Sequence, residues 1–314
     1  MLWQIIKKSN KDLVSLWEPL STSLFFSLLL HRKGDIEPFQ KLPVFDDYFS
    51  LGRKFLIELR KYHNLEIMPL KFEKWVKYFE IFNKSKKKFF LQLNRGHFFL
   101  YKISNKYKCP ITHIIRNPLD SLISNQVIFY DSYKINEELT NPFYKKLFNG
   151  IKTIINILFK NNLKNFFDVL YLFKFYLFKF INGYYKSPFY FIETYETLCK
   201  NRVIEDLAQD NIDKFLLVWT ACNYYAKRQV EEIGKEGMIL YYEDIVNTPK
   251  KELSKLAKFA NIKINWKYVN IHKKSVRKFP ASFKRKILGK IKKLEIVDEV
   301  KYILGKDIYK RTFF

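Results

Sequence analysis

Acidic residues are in short supply: 31 Asp and Glu stand against 57 Lys and Arg in 314 residues, a formal charge of +26. The imbalance has two readings. One is attraction to phosphate or sulfate ligands, nucleic acid or an anionic membrane. The other is a codon bias that raises Lys, Asn, Ile, Phe and Tyr together, and all five are abundant. Charge alone therefore names no partner. Cysteine is scarce too, and Cys109, Cys199 and Cys222 are odd in number and irregular in spacing. That argues against a disulfide framework or a metal knuckle. Five scattered histidines include no H-E-x-x-H pair, so no metal is expected. No segment reaches the ~18 uncharged residues of a membrane span. The start, MLWQIIKKSN, is too short an apolar run for a secretory signal, which makes a reducing, cytoplasmic location the expectation. A G-x-x-x-x-G-K-S/T phosphate loop is missing, against a nucleoside-kinase-like enzyme. So is an aromatic RNA-recognition signature, against a nucleic-acid partner. No repeat and no Pro/Gly/Ser linker divides the chain.

What is present is 48% hydrophobic residues with 18% aromatics, enough for a full core. Strand-like and helix-like runs alternate. DLVSLW reads as a strand, EPLSTS as a polar turn and LFFSLLLHR as a helix ending near Gly34. Residues 45–83 place apolar side chains at three- and four-residue steps and read as helical. KKFFLQLN follows as a strand, FFLYKISNKY as a helix and ITHII as a buried strand. Such alternation indicates βαβ units, hence a parallel sheet with helices on both faces. Residues 135–210 interrupt it, rich in Phe, Leu and Lys. They read either as a helical insertion whose lysines snorkel around an aromatic face, or as an amphipathic helix on anionic lipid. Order returns with DNIDKFLLVWTACNYYAKRQVEEIG, a helix stopping at Gly234. GMILYYEDIV reads as a strand, Thr248 as a helix cap, and Pro249 as the first residue of that helix. The basic tail reads as a loop and one or two helices. The chain is thus one domain, 1–314, with an insertion at 135–210.

The stretch THIIRNPLDSLISN, residues 112–125, carries the chemistry. Arg116 follows a strand, Asn117 and Pro118 open a helix, and Ser124 lies two turns into it. Beyond the carboxyl end of a parallel strand, free helix amides and a guanidinium fork suit an anion. Equally open is a structural pair, Arg116 with Asp120, beside an ordinary helix serine.

Arg116-Asn117-Pro118-x-Asp120-x-x-x-Ser124 after an apolar strand resembles the 3'-phosphate-binding motif of sulfotransferases. Those enzymes take a sulfuryl group from 3'-phosphoadenosine 5'-phosphosulfate (PAPS). ILYYEDIVNTPKKELSKLAKFANI is similar to the family's strand-YED-turn-Pro-helix segment. FFLQLNRGHFFLYKISNKYKCPITHIIRNP matches its order of strand, elbow, helix and strand. The resemblance covers residues 88–130 and 211–262. It implies a P-loop-NTPase-like α/β fold with a central parallel sheet, helices on both faces and the helical insertion. PAPS would be the donor and a hydroxyl or amine the acceptor, with a glycan or glycolipid as the favoured class. Arg116 and Ser124 would hold the donor's 3'-phosphate, and Arg277 and Lys278 would close over it. Ser21, Thr22 and Ser23 would meet the 5'-phosphosulfate. The family's loop reads Pro-(Lys/Arg)-Ser-Gly-Thr-(Thr/Ser), whereas this chain has Pro19-Leu20-Ser21-Thr22-Ser23, with neither cation nor glycine. Leu20 cannot neutralise charge on the leaving phosphate, which makes Arg95 the candidate substitute. His97 has an imidazole suited to general-base work; a structural hydrogen bond is the alternative. Tyr242, Glu243 and Asp244 read as groups that hold the fold. A nucleotide binder without transfer activity and a basic peripheral-membrane protein are the rivals.

Overall fold

The computed structural model describes residues 2–17, 46–62, 70–93, 96–124, 190–269 and 277–314. Helix α1 (Leu2–Ser9) buries Trp3, Ile5 and Ile6 on one face and ends on Lys7 and Lys8, cations at the negative end of the helix dipole. The Asn10 side chain donates to the Ile6 carbonyl at 2.9 Å and finishes the helix. Strand β1 (Leu13–Trp17) pairs in parallel with β2 (Lys88–Gln92), Leu13 opposite Lys88 and Trp17 opposite Gln92. Between them come α2 (Asp46–Phe49), α3 (Arg53–Arg60) and α4 (Phe72–Asn83). All three lie within the stretch expected to be helical, of which residues 63–69 lie outside the described residues.

After β2 the chain forms α5 (Leu100–Tyr107), β3 (Ile111–Ile115) and α6 (Pro118–Ser124). It resumes with α7 (Tyr190–Lys200) and α8 (Asn211–Ile233), then β4 (Gly237–Tyr241). β3 and β4 pair in parallel, Ile111 opposite Gly237 and Ile115 opposite Tyr241. The remaining helices are α9 (Tyr242–Asn247), α10 (Pro249–Ala260), α11 (Ala281–Lys293) and α12 (Val297–Phe313). The fold is therefore mixed, mostly helical, with small parallel sheets. Among the described residues the strands make two separate pairs. The pairs still share packing: Leu13 of β1, Phe90 of β2 and Met238 and Leu240 of β4 belong to one apolar cluster with Ile5 and Ile6.

Helix α8 is the organising element. Asp210 caps its first turn by accepting from the Asp213 amide at 2.9 Å. Lys290 of α11 reaches Asp210 at 2.6 Å and Asp213 at 2.8 Å, fastening α11 across that end. Leu216, Ala226 and Val230 are buried along its length. α7 adds Phe191, Tyr195 and Leu198 to the same core, so the last part of the 135–210 region is packed into the main body. Residues 125–189, with most of the stretch read as a helical insertion or as a helix on anionic lipid, lie outside the described residues. Gly237 is dictated by contact: a Cβ there would meet the Val230 carbonyl oxygen at 2.3 Å. A second cluster is aromatic, with Tyr78 edge-on to Phe82 at 5.2 Å and Phe82 edge-on to Phe89 at 5.1 Å.

Three details depart from the sequence expectations. GMILYYEDIV is a strand only as far as Tyr241, and Tyr242 onward is helical. Its partner β3 stops at Ile115 and turns into α6, so the chain beyond Tyr241 satisfies its backbone within a helix instead. Thr248 does not cap α10 with its side chain: its hydroxyl donates back to the Asp244 carbonyl at 3.0 Å and closes α9. Pro249 does open α10. Finally α12 is broken at Gly305, whose φ of 71° is glycine's territory. The carbonyls freed there are taken up by Lys227, which donates to Tyr302 O at 2.6 Å, and by the Tyr241 hydroxyl, which donates to Ile303 O at 3.1 Å.

Candidate functional site

The site forms where β3 and β4 end side by side. The Trp219 indole of α8 donates to the Arg116 carbonyl at 3.1 Å and pins the exit of β3. The next peptide is gripped from the helix that follows the other strand: Glu243 Oε1 of α9 accepts from the Asn117 amide at 2.9 Å and from Asn117 Nδ2 at 2.5 Å. Asn117 Nδ2 also donates to Asp120 Oδ2 at 2.9 Å, while Asn117 Oδ1 accepts from the Asp120 amide at 2.8 Å. One buried amide side chain thus links two buried carboxylates, Asp120 and Glu243. Burial raises Glu243's pKa above its ordinary value, opposed by the hydrogen bonds from Asn117 and reinforced by the charge of Asp120. Asp244 points elsewhere, to Arg311 at 3.0 Å.

This arrangement corrects one expectation. The start of α6 does not offer a row of free amides to an anion. Asn117's amide is spent on Glu243, Pro118 has none, and Asp120's is spent on Asn117. Among the described residues the Leu119 amide is the one first-turn donor with no acceptor, so an anion here would rest chiefly on side chains.

Arg116 is the side chain placed to do it. Its guanidinium lies over the Tyr242 ring, 4.6 Å from the centroid. Nη1 donates to Ser124 Oγ at 2.7 Å, across the full length of α6. Nη2 is 3.6 Å from Asp120 Oδ1, a looser approach. Both halves of the open question are therefore present at once, a serine contact and an aspartate contact. Ser124 is exposed, and the Arg116 side chain keeps 28% of its surface in solvent. Nε is buried, and among the described residues no acceptor reaches it. Ser124 accepts from Arg116, which leaves its own hydroxyl hydrogen to donate. A planar cation with spare donors, beside a hydroxyl with a spare donor, is chemically matched to a tetrahedral oxyanion.

The other candidate residues are placed differently. Ser21, Thr22, Ser23 and Arg95 lie outside the described residues. His97 sits in the turn before α5, its ring edge-on to His113 of β3 with centroids 5.7 Å apart. Gln229 of α8 donates to the His97 carbonyl at 2.7 Å. His113 in turn contacts Asn223 Oδ1 at 3.0 Å, and burial of its ring against α8 pushes its pKa down to about 4. Arg277 and Lys278 are exposed on the approach to α11. Sequence reasoning did not single out Asn117 as a bridge, nor Trp219. The signal available was an Asn-Pro opening with an Asp three residues after the Asn, the usual side-chain pattern of a helix start. Among the described residues, no group of three His, Cys, Asp or Glu could hold a metal, and no helix is long and apolar enough to cross a membrane.

Compared with known proteins, the chain matches no family model and no solved structure. It is similar to an uncharacterized protein of Archaeoglobus fulgidus, 26% identical over 311 residues. That alignment takes in 96% of this chain and 92% of the archaeal one, so the similarity spans nearly all of both.

Proposed function

We propose that this protein is a sulfotransferase that uses PAPS as donor, on a P-loop-like parallel sheet. One observation carries the reading. Arg116, stacked on Tyr242 and hydrogen-bonded to Ser124, places a partly exposed guanidinium beside an exposed hydroxyl at the end of a parallel strand. In this reading Arg116 and Ser124 hold the 3'-phosphate, and Asn117, Asp120 and Glu243 fix the peptide that carries Arg116. Ser21 to Ser23 meet the phosphosulfate, and Arg277 and Lys278 close over the nucleotide. An acceptor oxygen or nitrogen forms a bond to sulfur as the bond from sulfur to the 5'-phosphate oxygen breaks. The acceptor's proton passes to His97, and Arg95 balances charge on the departing phosphate. Such chemistry depends on positioning and on stabilising the leaving group. The acceptor is a hydroxyl or amine, with carbohydrate the favoured class. None of Cys109, Cys199 and Cys222 is in a disulfide, which suits a reducing compartment.

Leu20, standing where the family has a cation, supports a second reading, a binder of adenosine 3',5'-bisphosphate that no longer transfers. One experiment separates the two. The full chain is incubated with PAPS and a panel of glycans, glycolipids and amines, and release of adenosine 3',5'-bisphosphate is followed alongside calorimetric binding of that product. Acceptor-dependent release supports transfer, and tight binding without release supports the second reading. Absence of both overturns the proposal.

A further inference from the structure

Trp266 and Tyr268, 43% and 37% exposed, share one 3-10 turn. The turn is firmly built. Asn265 accepts from the Lys267 amide at 3.1 Å and donates its own amide to Ser9 Oγ at 2.8 Å. Asn10 grips both backbone groups of Lys263, at 3.0 and 2.9 Å. Ile264 and Val269, flanking the aromatics, pack into the cluster beneath α1 and α10. The backbone is thus fastened to the core while an indole and a phenol face solvent. Lys8, Lys11, Lys258, Lys263 and Lys267 are exposed on the same elements, with Asp12 the acidic exception. Lys8 Nζ lies 5.5 Å over the Tyr268 ring. From residue 253 to residue 294 the sequence has no Asp or Glu at all.

We propose that this face docks on an anionic phospholipid bilayer, Trp266 and Tyr268 entering the interfacial layer and the lysines meeting lipid phosphates. Trp and Tyr are the side chains suited to that depth, apolar in body with one polar tip. The nearby cations are all lysines, point charges on flexible stems that respond to a diffuse surface potential. Single-stranded nucleic acid fits less well. Single-strand binders lay successive bases on rings spread along a groove, whereas here the two exposed aromatics share one turn and Lys8 lies over one face of Tyr268. The proposal is independent of the sulfotransferase reading, since Arg116 plays no part in it.

The test is flotation of the full chain with vesicles of phosphatidylcholine, alone or mixed with phosphatidylglycerol, at physiological salt. The expected result is binding to the mixed vesicles only. Trp266→Ser with Tyr268→Ser should lower the partition coefficient at least tenfold. Removing Lys8, Lys263 and Lys267 together by alanine should lower it on the order of 100-fold, roughly fivefold for each charge near the surface. Brominated lipid should quench tryptophan emission in wild type and lose that effect in Trp266→Phe. All these changes sit on exposed side chains, and circular dichroism checks the fold. No binding to the mixed vesicles overturns the proposal, as does binding that both variants retain in full. Single-stranded RNA binding that these variants weaken, with vesicles ignored, assigns the face to nucleic acid and overturns it equally.

Discussion

Replacing Arg116 by alanine should weaken the nucleotide selectively, and the geometry sets the size of the loss. An Arg–phosphate bond is charge-assisted and contributes about 1.5–3 kcal/mol net. Here Nη2 already lies 3.6 Å from Asp120 Oδ1, a fully buried carboxylate that shares the cation's charge. The loss should therefore fall near ~2 kcal/mol, about 30-fold in affinity for adenosine 3',5'-bisphosphate. Ser124→Ala removes one neutral donor, about 1 kcal/mol or fivefold. Arg116→Lys keeps the charge but not the fork and should fall between them. Arg116→Ala also takes a partner from Asp120 and a cation from the Tyr242 ring, so the variant will be less stable as well. The design tolerates this because each variant is its own control. Calorimetry compares adenosine 3',5'-bisphosphate with adenosine 5'-phosphosulfate, which has no 3'-phosphate, on the same folded protein. Losses for the second ligand should stay within about twofold. Equal losses for both ligands would refute the clamp and leave Arg116 and Ser124 as a structural pair.

Other perturbations test the support behind the clamp. Asn117→Ala strips two buried carboxylates of their shared donor and should cost about 3 kcal/mol in urea denaturation; a cost under ~1 kcal/mol would show that the bridge carries nothing. Glu243 is an acid whose pKa folding raises above 4.5, so the folded chain holds the extra proton and stability falls as pH rises from 4.5 through the folded value. Glu243→Gln should flatten that slope, and parallel wild-type and variant profiles would contradict it. His113 has the opposite sign: its pKa drops from 6.5 to about 4 on folding, so the unfolded chain takes the proton first and stability is lost as pH falls from 6.5 towards 4. His113→Gln should recover on the order of 2 kcal/mol at the acid end. Lys227→Met leaves the Tyr302 carbonyl at the α12 break without its donor and should cost about 2 kcal/mol, read from urea midpoints at neutral pH.

Much of the fold was legible because most elements announce themselves locally. α8 shows a long apolar stripe with Asp210 before it and Gly234 after it, and β1, β2 and β3 are short β-rich runs closed by polar residues. Arg116 and Ser124 could be paired in advance through the eight-residue spacing of the motif they resemble; Arg116 itself precedes α6, and its long side chain spans that helix. Contacts between distant segments were not legible. Glu243 meets Asn117 across 126 positions, and nothing in either motif specifies that Ile115 lies opposite Tyr241. The same register ends β4 earlier than its β-rich sequence suggests. α1 went unread because its eight residues are too few for a periodicity to stand out, and its helix is held by burial of Trp3 and by Asn10. The α12 break is a tertiary event, made tolerable by Lys227 reaching in from α8.

The charge balance at the strand ends bears on whether this can be an anion site at all. Arg116 stands with two buried carboxylates, Asp120 and Glu243. With both ionised the cluster would carry one net negative charge and repel a phosphate. Burial raises Glu243's pKa, and Asp120's charge raises it further, so the fold itself works against that state. Were Glu243 to take up a proton, Arg116 and Asp120 would cancel. The partly exposed guanidinium and the Ser124 hydroxyl would then face solvent without a net opposing field. An incoming phosphate raises the Glu243 pKa again, so anion and proton favour each other at this site. Asn117 suits both states, because it donates to Oε1 and leaves Oε2 without a donor among the described residues. The buried carboxylates position Arg116 through backbone and amide contacts, and in that protonated state they would oppose its charge less than their number suggests.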